Sequence, residues 1–107
     1  MIQDPIGAHY NKGVNMKTIH KYPLTMADIQ TVEMPSGAEI LTVQTQVATP
    51  CIWALVDTDN PVEEHSFAIF GTGHPIHEDI WVRHKYISTF QLSDGKFIFH
   101  LFERENK

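Results

Sequence analysis

Apolar and polar positions alternate with a period of two along most of the chain, the spacing of half-buried strands. Lys17–Tyr22 reads as a short first strand, stopped by Pro23. Thr25-Met26-Ala27-Asp28 has the composition of one capped helical turn. Thr31–Met34 is a brief strand that ends in Pro35-Ser36-Gly37, a turn with a glycine for the left-handed position. In Ala38–Val47, Leu41, Val43 and Val47 share one face, while Thr42, Gln44 and Gln46 take the other. Ala48-Thr49-Pro50 turns the chain into Cys51–Val56, which is apolar on both faces and predicts a central, doubly covered strand. The acidic loop Asp57–Pro61 leads to a strand over Glu63–Phe70, broken by Gly71-Thr72-Gly73-His74-Pro75.

The last third predicts a hairpin. From Ile80 to Leu92, Ile80, Val82, Tyr86, Phe90 and Leu92 hold the even positions, and Arg83, Lys85, Thr89 and Gln91 the odd ones. Ser93-Asp94-Gly95 supplies the turn, because Asp-Gly between apolar runs is a strong hairpin signal. Lys96–Phe102 returns, and Glu103–Lys107 is a polar tail. No long segment repeats at the helical spacing with caps. The pattern therefore predicts an all-β fold of six or seven strands, a small antiparallel sandwich or a partly open barrel. Its core would draw on Ile19, Leu41, Val43, Trp53, Leu55, Phe67, Ile69, Tyr86, Phe90, Phe97, Phe99 and Leu101. Residues 1–15 lack this periodicity and read as an N-terminal extension, mobile or docking on a neighbouring subunit; 16–107 form one domain.

Composition narrows the picture. The 107 residues are 42% hydrophobic and 20% charged, values of a single soluble globular domain rather than a disordered chain. No apolar run approaches the roughly eighteen residues of a membrane span. The start Met1-Ile2-Gln3-Asp4 lacks a basic and then apolar leader, so the expected compartment is the cytoplasm. The lone Cys51 excludes an internal disulfide framework, and as a free thiol heading an apolar strand it reads as a small core hydrophobe. The net charge is −5, unevenly spread: no Lys or Arg lies between Lys21 and Arg83. A duplex needs a broad basic face to displace its counterions, so extended nucleic-acid binding is not expected.

Chemistry-bearing residues are sparse. His74-Pro75-Ile76-His77 is the only close histidine pair, and it lies in a loop; a metal would need His65, His84 or His100 to converge on it. No metal and no cofactor are expected. His100, between Ile98 and Phe102 on its strand face, reads as a core or interface histidine bonded to a carbonyl. Gly71-Thr72-Gly73 lets the backbone turn sharply and present N–H groups to an anion, or is simply a bend at a strand end. No serine sits in a G-x-S-x-G elbow, and the acidic pairs Asp57/Asp59 and Glu63/Glu64 occupy loops or loop edges, so no catalytic set is expected. Trp81 shares parity with Arg83 and Lys85. It is either an outward stacking anchor beside two cations or a ring tucked under a loop.

Several segments together carry a family resemblance: Lys17-Thr18-Ile19-His20-Lys21-Tyr22-Pro23-Leu24, Thr31–Leu41, Trp53-Ala54-Leu55-Val56-Asp57, Gly71-Thr72-Gly73-His74-Pro75-Ile76, Tyr86–Leu92 and His100-Leu101-Phe102-Glu103. From about Met16 to Glu103 the chain resembles a family of small uncharacterised proteins of tailed phages and prophages. The resemblance implies an origin rather than a mechanism; by analogy, such accessory proteins counter host immunity by sequestering a nucleotide signal or blocking a host protein.

The expectation is thus a non-catalytic, homo-oligomeric binding protein for a small anionic or nucleotide-like ligand or a host protein. Trp81, Arg83 and Lys85 would provide stacking and charge, and Thr72, Gly73 and His74 would provide hydrogen bonds. The rival expectations are an inhibitor whose Asp57, Asp59, Glu63 and Glu64 form one acidic face, and a histidine-metal enzyme on a small barrel.

Overall fold

The computed structural model describes residues 16–105, so the extension at residues 1–15 lies outside the described residues. Seven strands and one helical turn follow in order: β1 Lys17–Pro23, β2 Ile29–Pro35, β3 Glu39–Gln46, β4 Thr49–Asp57, β5 Val62–Gly71, α1 Glu78–Trp81, β6 His84–Leu92 and β7 Phe97–Arg104. They form two antiparallel sheets, β1-β4-β3 and β2-β5-β7-β6, packed as an all-β sandwich. The sheets are joined where the Thr45 hydroxyl of β3 donates to the Gln91 carbonyl of β6, 2.7 Å.

Between the sheets lies a core of Leu24, Met34, Val43, Ile52, Ala54, Val56, Phe67, Ile69, Phe90 and Leu101. Val43, Phe67, Ile69, Phe90 and Leu101 are the expected core residues that reach it. Ile19, Leu41, Tyr86 and Phe97 are instead exposed, and Trp53 and Leu55 are half-buried. The cause is the parity of β4. Both of its faces are apolar, so the pattern could not say which one the second sheet covers. Ile52, Ala54 and Val56 turn inward, and Trp53 and Leu55 stand on the outer face opposite Lys21 and Ile19. Lys21 makes use of that placement, its ammonium lying 5.9 Å from the Trp53 ring centroid.

Five local expectations change. Thr25–Asp28 is not helical, because the Gln30 amide takes over its backbone: Nε2 donates to the Thr25 and Ala27 carbonyls and Oε1 accepts from the Thr25 N–H. The β3–β4 hairpin turns at Val47-Ala48, both at positive φ (47° and 68°), so Thr49 and Pro50 already belong to β4. The single strand expected over Ile80–Leu92 is a helical turn followed by β6, and the polar tail begins later because Glu103 and Arg104 are still in β7. Finally, β6 bulges between Tyr86 and Ser88. Tyr86 therefore pairs with Phe102 on the outer face, while Phe90 and Leu92 pair with Phe99 and Phe97 on the inner one. The turn at Pro35-Ser36-Gly37 is present, with Gly37 at φ 81° and the Ala38 N–H donating to the Pro35 carbonyl.

A candidate ligand groove at the Gly71–His74 turn

β5 ends at Gly71, where the next residues fold into a turn closed by the His74 N–H on the Gly71 carbonyl, 3.1 Å. Gly73 takes φ 87° in that turn, a conformation open to glycine at no steric cost. The Thr72 N–H is spent on the Ile98 carbonyl of β7, 3.2 Å. Two of the N–H groups expected to cradle an anion are thus bound internally, and recognition falls to side chains.

Those side chains converge with the start of β7. Gly71, Thr72, His74, Lys96, Phe97, Ile98 and Phe99 line a groove of about 430 Å³, a size suited to a small ligand. The His74 ring lies directly over Gly71: a methyl group built there would come 3.0 Å from its Cε1 and Nδ1. Phe99 stacks on Phe90 at 5.7 Å and anchors the floor to the core, while Phe97 is exposed beside it. The groove therefore offers an ammonium and an imidazole beside an aromatic floor.

Thr72 also belongs to a second arrangement. Its hydroxyl lies 2.7 Å from His100 Nε2; His100 Nδ1 lies 2.8 Å from the Thr89 hydroxyl; and that hydroxyl lies 2.7 Å from the Tyr86 phenol. The row runs across the outer face of the sheet, from Thr72 just past β5, over β7, to β6. His100 is thus half-buried and bonded to two hydroxyls, not to a carbonyl as expected. Beside this row Phe102 is ringed by Phe70, Tyr86 and Trp81, with centroids 5.7–6.0 Å away in edge-to-face geometry.

The remaining expected site residues are placed as follows. Thr72 and His74 line the groove; Gly73 shapes the turn between them. Trp81 stands on α1 over Phe102, still 56% exposed, so it is both anchored and outward. Its shared parity with Arg83 and Lys85 is lost because a helical turn, not a strand, carries it. Arg83 is exposed in the turn before β6 and lines none of the cavities described here, and its carbonyl accepts from the Glu105 N–H. Lys85 lines a different cavity, of about 360 Å³, with Glu63, His65, Glu103 and Arg104. There the buried His65 ring stands between two carboxylates, Nε2 at 3.6 Å from Glu63 and Nδ1 at 3.9 Å from Glu103. Because these flank opposite nitrogens, one ion could not collect both. Among the described residues, no three His, Cys, Asp or Glu side chains form a metal-holding group.

Burial pushes the Glu103 carboxyl above its ordinary range, a shift opposed by His65 and Lys85. The expected single acidic face does not assemble: Glu63 and Glu64 are successive residues of one strand and point to opposite faces, and the buried Asp57 turns its Oδ1 onto the Asp59 N–H. The groove's cation, Lys96, was missed by the sequence reading, as were Phe97, Phe99 and the role of His100. Lys96 reads only as the start of a hairpin's return strand, Phe97 and Phe99 as core residues and His100 as a core or interface histidine, and nothing in a single sequence says that β7 inserts between β5 and β6. Among the described residues no helix is long and apolar enough to cross a membrane.

Searches against curated proteins and against solved structures return no match. Residues 16–107, the whole patterned part of the chain, match one family, and the chain therefore belongs to the domain of unknown function DUF7352.

Proposed function

We propose that the protein is a non-catalytic binding protein that captures a small anionic, nucleotide-like ligand in the groove at the Gly71–His74 turn. The observation that carries this reading is the meeting of Thr72, His74 and Lys96 around an aromatic floor. A phosphate would take the Lys96 ammonium and the His74 imidazole as donors, and a planar base would lie on Phe97. In this reading the cation is Lys96, with Arg83 and Lys85 outside the groove. The resemblance to phage and prophage proteins suits an anti-defence role in the host cytoplasm, in which a nucleotide signal is sequestered by a homo-oligomer. Calorimetric titration with cyclic nucleotides tests it. Binding weakened about tenfold or more by Lys96→Ala, as loss of a charge-assisted contact predicts, and unchanged by Arg83→Ala would support the groove. No heat with any nucleotide would end this reading.

A second reading, a host protein as partner, is favoured by one observation: Trp81 and Tyr86 are 56% and 51% exposed on one aromatic face. Pull-down from host extract that survives Lys96→Ala but fails with Trp81→Ala would favour it.

A further inference from the structure

We infer that the outer face of the three-stranded sheet is a homodimer interface, on which a second copy of this chain packs about a two-fold axis running along β4. This names the contact for the homo-oligomer of the reading above and is independent of the groove. The argument starts from β4. Cys51-Ile52-Trp53-Ala54-Leu55-Val56 is apolar on both faces, the pattern of a strand covered on both sides. Within one chain the second sheet covers the side of Ile52, Ala54 and Val56, which enter the core.

The strand register defines the other side. Leu55 pairs with Ile19 of β1 and with Glu39 of β3, so these three form one row across the outer face. Ile19 is 55% exposed and Leu55 half-buried. The next row, Lys21, Trp53 and Thr42, closes on itself: the Lys21 ammonium lies over the Trp53 ring and donates to Gln46 Oε1, 2.6 Å. The open apolar surface is thus centred on Ile19 and Leu55. Leu41, at the bulge of β3, is exposed as well.

The charges select the occupant. Lys17 stands on the β1 edge and Glu39 on the β3 edge, and among the described residues neither has an ionic partner. A two-fold axis along β4 brings Leu55 to Leu55 of the second copy and lays each β1 over the other β3. Lys17, two residues from Ile19 along β1, then comes within reach of Glu39 of the second copy, twice by symmetry. Face-to-face packing of aligned sheets, with strands crossing at about −30°, accommodates this arrangement. A face with its cation on one edge and its anion on the other is complementary to itself. A partner surface of a single sign would instead set like charges together along one edge.

Sedimentation equilibrium of the full chain without nucleotide tests the interface. The wild type should dimerise with a dissociation constant below about 1 mM. Ile19→Glu should raise that constant about tenfold or more, since each dimer loses two apolar anchors. Lys17→Glu and Glu39→Lys should each weaken the dimer, because each opposes like charges at both ends. An equimolar mixture of those two variants should restore association, since every altered charge then meets its opposite. All three positions are exposed, and a circular dichroism spectrum unchanged from wild type confirms that the fold is kept. A wild type that stays monomeric at about 1 mM overturns the inference. So does a dimer indifferent to Ile19→Glu, or a mixture that associates no more tightly than its components. The nucleotide titration reads the groove separately: a monomer that binds nucleotide overturns the interface alone, and a dimer that dissociates with Ile19→Glu but binds no nucleotide upholds the interface while the groove reading falls.

Discussion

Gly71 shows how one missing side chain shapes the candidate site. The His74 ring rests where a β-carbon would be, 3.0 Å from it, while the Gly71 backbone needs no left-handed conformation. Gly71→Ala therefore leaves the strand intact and pushes only the imidazole. The expected outcome is a displaced His74 ring, seen as a changed imidazole chemical shift and weaker anion binding, with stability altered by no more than about 1 kcal/mol. Deep in the core the balance is different. Phe67 is fully buried, and its ring fills the space between the sheets. Phe67→Ala should cost about 3–5 kcal/mol in urea unfolding, the transfer term plus the unfilled cavity.

At the scale of elements, two strained or repulsive features are open to improvement. Val47 and Ala48 both occupy positive φ in the β3–β4 turn, where a β-branched residue is a steric outlier. Val47→Asn with Ala48→Gly gives the turn residues suited to that geometry and should raise stability by about 1 kcal/mol. Glu33 and Glu64 are directly paired across β2 and β5. Glu33→Lys turns that repulsion into attraction and should add about 0.5 kcal/mol, less at high salt. The same elements show what a single sequence reveals. Strand positions, the Gly37 turn and the Asp94-Gly95 hairpin were legible because each depends on local spacing and turn chemistry. The inward face of β4 was not, since both faces are apolar. The helical turn at Glu78–Trp81 and the bulge at Ile87 were not, since each keeps the apolar residues while changing where they point. In the groove, Thr72 and His74 stood out through their glycines, whereas Lys96 and His100 depend on a long-range pairing of β5 with β7.

Among the described residues, two mouths of the sandwich lie at different strand ends. One is the groove at Lys96; the other holds Glu63, His65, Lys85 and Glu103. The second mouth couples to global stability through Glu103. Burial raises its folded-state pKa above the ordinary value of 4.5, with His65 and Lys85 offsetting part of the rise. The native state therefore holds this proton more tightly than the unfolded chain does. The contribution of Glu103 to stability is present in full below the ordinary glutamate range and is lost as pH rises through the raised folded value. Other carboxylates add their own trends, so the difference between wild type and Glu103→Gln isolates the effect. Stability should be measured by denaturant unfolding between about pH 4 and about pH 6, where glutamates titrate and most histidines remain charged. Relative to wild type, Glu103→Gln should gain as pH rises across that window, because it escapes the cost of a half-buried charge. A difference that stays flat would show that His65 and Lys85 compensate the burial fully. A difference of opposite sign would mean that the cluster of β5, β6 and β7 holds Glu103 as a net favourable anion, and that this mouth is tied together by its charges rather than strained by them.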